Sequence, residues 1–146
     1  MELDGIVAKM AQKVKQNLKT IVLPETEDVR VLKAASIILK EEIANIILIG
    51  DENEIKSLCE KENIDMSFSK VKIINNLTSS KKEEYANLLY ELRKNKGMTK
   101  EEAINILKTN SRYFATMMVK LGDADGYVSG ASHPTSDTLR PVLQII

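Results

Sequence analysis

Tryptophan is absent from the sequence, and cysteine and histidine occur once each, as Cys59 and His133. A single thiol excludes an internal disulfide and any metal cluster built from thiolates. Cys59 reads as a small buried apolar residue on a helix. Aromatic residues make up only 4% of the chain, too few for the stacking platforms that bind single-stranded nucleic acid. Neither sign of charge is in excess: 21 Lys plus Arg face 21 Asp plus Glu. That balance argues against a general nucleic-acid or anionic-membrane binder and leaves room for a local basic pocket. No apolar run approaches the ~20 residues needed to span a bilayer. Lys9, Lys13 and Lys15 interrupt the first apolar residues, so they form no signal-peptide core. The expectation is a cytoplasmic protein with no nucleic-acid partner or membrane contact.

What the sequence does contain is alternation. Leu3, Ile6, Val7, Met10 and Val14 recur at helical spacing. "TIVLP", from Thr20, is a β-rich run stopped by proline, and Thr26 with Glu27 and Asp28 reads as a capped helix start. Val29, Leu32, Ala35, Ser36 and Leu39 mark the inner face of that helix. "ANIILIG" is apolar at every second position on both sets, the pattern of a strand covered on both faces. A helix over 52–61, a strand in "VKIIN" and two helix starts with capping-box spacing, Ser80 with Glu83 and Thr99 with Glu102, follow. Behind the first start lie Tyr85, Leu88, Leu89 and Leu92, closed by Gly97. Phe114, Met117, Met118 and Leu121 form a further helix ended by Gly122, and "GYVSG" reads as a fourth strand. This order predicts one α/β domain over 1–146, a mainly parallel sheet between helix layers. The terminal "VLQII" leaves two alternatives open, a docked last helix or a piece of a longer chain.

One stretch stands apart, "VSGASHPTSDTLRP", Val128 to Pro141. It lies between the fourth strand and a helix carrying Leu139, Val142, Leu143 and Ile146. In open α/β sheets ligands sit beyond the carboxyl ends of the strands, and a helix N-terminus there favours anions. Gly130 permits close backbone approach. Ser129, Thr135 and Ser136 offer hydroxyls, and Arg140 offers a planar fork matched to phosphate. Pro141 fits best if the helix begins near Asp137 or Thr138. The pattern is neither a Walker A loop nor a GxGxxG turn, and a plain capping cluster is the alternative. His133 reads as a hydrogen-bonding loop residue or as a proton carrier. Arg93, one step off the Leu92 stripe, reads as a surface arginine on pattern alone.

Taken together, "IVLPETEDVR", "ANIILIG", "YELRKNKGMTKEEA", "MMVKLGDADGYVSGA" and "HPTSDTLRPVLQII" resemble the phosphotransacetylases (phosphate acetyltransferases), in that family's order and over nearly the whole chain. The resemblance implies a three-layer α/β/α domain of the isocitrate and isopropylmalate dehydrogenase type. It also implies the reaction acetyl-CoA plus phosphate to CoA plus acetyl phosphate, without metal or bound cofactor. By the same resemblance Arg93 and Arg140 face the cleft and hold phosphate or CoA, while Ser129, Gly130, Thr135 and Ser136 line the phosphoryl site. Pro134 stands where many members carry a small hydroxyl residue, which removes one donor. The resemblance further implies that the chain corresponds to the N-terminal domain of a two-domain, homodimeric acyltransferase, with the second domain and the C-terminal return segment, and in them a Ser-Arg pair and the aspartate base, expected outside it. A phosphate butyryltransferase is the near alternative, since a few methylenes are discriminated by only about 1–3 kcal/mol. A non-catalytic acetyl-CoA-binding domain, as attached to some malic enzymes, is the alternative from another class.

Overall fold

The computed structural model describes residues 4–146. Four strands, β1 (Thr20–Leu23), β2 (Asn45–Ile49), β3 (Lys72–Ile74) and β4 (Gly126–Tyr127), form one parallel sheet in the order β3-β2-β1-β4. The helices are α1 (Gly5–Val14), α2 (Val29–Lys40), α3 (Glu52–Lys61), α4 (Lys82–Arg93), α5 (Lys100–Thr109), α6 (Ser111–Lys120) and α7 (Thr135–Ile145). The doubly apolar β2 accounts for the layering. Ile46 and Leu48 pack with Leu32, Ala35 and Leu39 of α2 and Ile55 and Cys59 of α3. Ile47 and Ile49 turn to the other face, against Tyr85, Leu89, Leu107, Phe114 and Met117 of α4 to α6. The result is the expected three-layer α/β/α domain with a core on each face of the sheet. No helix among the described residues is long and apolar enough to cross a membrane.

Local chemistry sets the boundaries. Thr99 and Glu102 close both arms of the expected capping box. The one expected at Ser80 and Glu83 does not form: Lys81 is the N-cap of α4 and no side chain caps it. Nor does Thr26 cap α2. Asp28 does, accepting from the Arg30 amide at 2.8 Å, while Thr26 is buried and donates to the Ile49 carbonyl at 2.8 Å. Helix α7 begins at Thr135, earlier than the proline suggested, so Pro141 lies inside it and is buried. The expected fourth strand shrinks to two residues. Leu3 lies outside the described residues, and the rest of the α1 stripe does not face inward: Ile6, Val7, Met10 and Val14 are exposed. Helical periodicity found the amphipathic face but could not say whether this domain covers it.

Gly50 shows how tightly β2 joins α3. A Cβ there would stand 2.6 Å from Thr26 Oγ1 and 3.3 Å from Ile55 Cδ1, and Thr26 is held by its bond to Ile49. Gly50→Ala is expected to destabilise the fold by about 1–3 kcal/mol, the usual cost of overpacking. The check is the urea midpoint at constant slope, and an unchanged midpoint would contradict the tight approach.

Candidate functional site

The carboxyl end of β1 continues into Pro24 and Glu25, and Glu25 organises the loop after β4. Its side chain is 1% exposed. Oε1 accepts from Ser129 Oγ at 3.1 Å and from the amides of Gly130 and Ala131 at 2.6 and 3.0 Å. Oε2 accepts from the Ser132 amide and hydroxyl, both at 2.8 Å, and stands 2.7 Å from His133 Nδ1. Gly130 has φ +111°, a conformation that residues with a Cβ rarely adopt. It lets successive amides converge on one carboxylate. Arg30 adds an outer brace, bonding Asp28 through Nε and Nη2 and donating to the Ala131 carbonyl at 2.6 Å.

Burial pushes the Glu25 carboxyl up. The contacts from His133, the Ser132 amide and hydroxyl and the Ala131 amide outweigh it and hold the group well below the usual carboxylate range. Sequence reasoning placed Ser129 and Gly130 at a bound anion. In the structure the anion they hold is a carboxylate of the same chain. Glu25, Glu27 and His133 each bring one potential ligand atom within 4.8 Å of the others. Since both Glu25 oxygens already accept several hydrogen bonds, the arrangement is a latch rather than an open coordination site.

A second group of residues lies where α4, α6 and α7 meet. Asn110 caps α6 by accepting from the Arg112 and Tyr113 amides. Ser111 Oγ donates to the Pro24 carbonyl at 2.9 Å, which fixes the start of α6 at the carboxyl edge of the sheet. Tyr85 near the start of α4 donates to Asp123 beyond the end of α6. The Tyr85 ring also packs edge-on against Phe114 of α6, with ring centroids 5.0 Å apart, so the first turns of α4 are held against α6. Tyr113 is buried, and its hydroxyl donates to Gln144 Oε1 of α7 at 2.7 Å. Burial pushes the Tyr113 phenol up, and the positive charges of Arg140, Arg93 and Arg112 act on it in the opposite direction. Arg112, Tyr113 and Arg140 line one pocket, and Arg93, in the last turn of α4, is near enough for its charge to act on the same phenol. Among the described residues no carboxylate pairs with Arg93, Arg112 or Arg140. Thr135 and Ser136 are exposed in the opening turn of α7, for which Pro134 provides no capping side chain.

Glu25, Arg112 and Tyr113 were not found from the sequence. Glu25 follows a strand and a proline at a carboxyl edge, which was the available signal. Arg112 sits in the first turn of a helix, where acids are the favoured residues, and that mismatch was legible.

A parallel sheet between two helix layers, with arginines of α6 and α7 lining one pocket beside a buried tyrosine, defines a three-layer α/β domain with a cationic corner. The chain belongs to the family described as phosphate acetyl/butaryl transferase, whose pattern matches residues 5–146. It is 51% identical over 142 residues to the phosphate acetyltransferase of Acetivibrio thermocellus, covering 97% of this chain and 41% of that protein. It is 50% identical over 132 residues to that of Clostridium acetobutylicum, covering 90% and 39%. Among solved structures, a phosphotransacetylase from Streptococcus pyogenes superposes with a TM-score of 0.88 at 35% identity, covering all of this chain and 43% of the other. One from Staphylococcus aureus gives 0.82 at 43% identity, covering 94% and 40%. The chain spans about two fifths of the length of these relatives.

Proposed function

We propose that this chain supplies one wall of the active-site cleft of a phosphate acetyltransferase, which moves acetyl reversibly between CoA and phosphate. The single observation that carries the reading is that Arg140 lines one pocket with Tyr113 and Arg112 and, like Arg93, has no carboxylate ion-pair partner among the described residues. Unpaired guanidinium groups at one corner suit a phosphate-bearing substrate. In this reading both arginines act as electrostatic clamps on phosphate or CoA. The hydroxyls of Thr135 and Ser136 and the uncapped start of α7 add donors beside them. Ser129 and Gly130 act through Glu25, fixing the loop that delivers α7. The transfer itself is attack of the CoA thiolate on the acetyl carbonyl, with phosphate leaving. The arginines stabilise charge on the phosphate oxygens and move no proton.

Arg140 gives the direct test. In a full-length enzyme carrying this domain, Arg140→Ala is expected to reduce kcat/KM by about 1.5–3 kcal/mol of transition-state stabilisation, the scale of a charge-assisted hydrogen bond. Lysine restores only part of it, because it keeps the charge and loses the fork. Unchanged efficiency in the alanine variant would remove Arg140 from the site.

A further inference from the structure

Arg112 is the residue of the cationic corner that neither the sequence reading nor the proposed clamp uses, and its position is unfavourable in three ways. It is 9% exposed, so a permanent cation has lost most of its water. Its Nε is shielded from solvent and meets no acceptor. It also sits in the first turn of α6, which contains no acidic residue, so its charge opposes the helix dipole. A bound anion would relieve all three. The side chain lines a pocket of about 350 Å³ together with Arg140, Asn110, Thr109, Tyr113 and Asp137. Asp137 is the one carboxylate in that lining, and it makes no ion pair with either arginine among the described residues.

We propose that Arg112 is a third anion-binding residue: with Arg140 it forms a subsite for a phosphate-monoester or phosphate dianion in the pocket between α6 and α7. The subsite rests on the reading of the clamp above and extends it by naming the group on which the buried charge acts. The charge of Arg93 also acts on Tyr113 in that lining. The two guanidinium groups of the lining against its one carboxylate leave a net positive charge that favours an anion. A largely buried guanidinium binds a phosphate oxygen more strongly than an exposed one, because less solvent screens it. The chemistry fits two sources alike, the phosphoryl group that is transferred and the ribose phosphate of CoA.

The test is titration of the 146-residue chain with inorganic phosphate and, separately, with adenosine 3′,5′-bisphosphate, followed by calorimetry. Wild type, Arg112→Met, Arg112→Lys and Arg140→Ala are compared, with melting curves recorded in phosphate-free buffer. Arg112→Met is expected to weaken binding of at least one probe roughly 10- to 100-fold, the effect of losing one charge-assisted contact. It is also expected to melt at or above the wild-type temperature, since an uncompensated buried cation is replaced by apolar volume. Arg112→Lys is expected to bind with intermediate affinity. A loss confined to adenosine 3′,5′-bisphosphate assigns the subsite to the CoA phosphate, and a loss with inorganic phosphate assigns it to the transferred group. Wild-type affinity for both probes in Arg112→Met, with binding abolished in Arg140→Ala, overturns the role of Arg112 and leaves the clamp standing. Binding insensitive to both positions, or no binding by wild type, overturns both. A methionine variant that melts well below wild type shows that the cation is already compensated within the fold, and also overturns the proposal.

Discussion

Assayed alone, the 146-residue chain is expected to turn over no measurable acetyl phosphate in the presence of CoA. In the proposed reading, cations from three helices and the exposed start of α7 would hold an anion from one side only. A cleft with one wall stays open to water, where charge contacts are screened. The rate advantage of holding two substrates in reacting geometry requires both to be fixed at once, and it is worth roughly 7–11 kcal/mol where it is fully realised. A thiol base contributes a further 10²- to 10⁴-fold. By the family resemblance that base belongs to the part of the longer relatives that this chain, at 41% of the first relative's length, does not span. The expected result in a CoA-dependent acetyl phosphate assay is activity at least about 10⁴-fold below a full-length family member run beside it. Comparable turnover would show that the catalytic groups already lie within these residues, and would direct attention to His133 and Asp137.

Removing the carboxylate of Glu25 is expected to produce the largest loss of stability of any single polar substitution in the domain. Its two oxygens accept from Ser129, Gly130, Ala131 and Ser132 and contact His133, which ties β1 to a loop more than 100 residues away. Several of those donors reach solvent once released, so the contacts do not add in full. Glu25→Ala is expected to cost on the order of 3 kcal/mol, or roughly 6–12 °C in Tm for a domain of this size. The pH dependence has a definite sign. The folded carboxyl lies below its ordinary value of 4.5, so the unfolded chain takes up the proton first. The contribution is whole above about pH 4.5 and is lost as pH falls from there toward the folded value. Urea midpoints at pH 7 and pH 3.5 check both points. The gap between wild type and Glu25→Gln is expected to narrow at the lower pH. A gap that is absent at pH 7, or that widens in acid, would contradict the latch.

The contrast between these residues explains how far the sequence could be read. Layering was legible because β2 is apolar on both faces and because parallel strands alternate with helices. The pattern cannot be satisfied unless both faces are covered. Boundaries were legible where the cap is local, as at Thr99 and Glu102, and failed where tertiary bonds competed. Thr26 has the chemistry of a cap, but it bonds the Ile49 carbonyl instead. The candidate site divided in the same way. Arg93 and Arg140 entered through family resemblance, and in the structure the charges of both act on Tyr113. The hydroxyl-rich loop was legible as an anion cradle, but not that its anion is internal, because Glu25 and Ser129 are separated by about a hundred residues. Arg112 was passed over because burial decides its meaning, and periodicity in a helix that is buried along most of its length does not single out one cation.

The central claim is that the corner formed by α4, α6 and α7 binds the phosphate group of a substrate. Its most direct test is an NMR titration of the chain with acetyl phosphate, observing the arginine Nε–Hε and backbone amide signals at two salt concentrations. The expected result is saturable shifts at Arg93, Arg140 and the first amides of α7, weakening as salt is raised, while the Glu25-bound amides of Gly130 to Ser132 move little. The contradicting result is the reverse: saturable shifts confined to the Gly130 to Ser132 loop or another surface, with Arg93 and Arg140 unmoved.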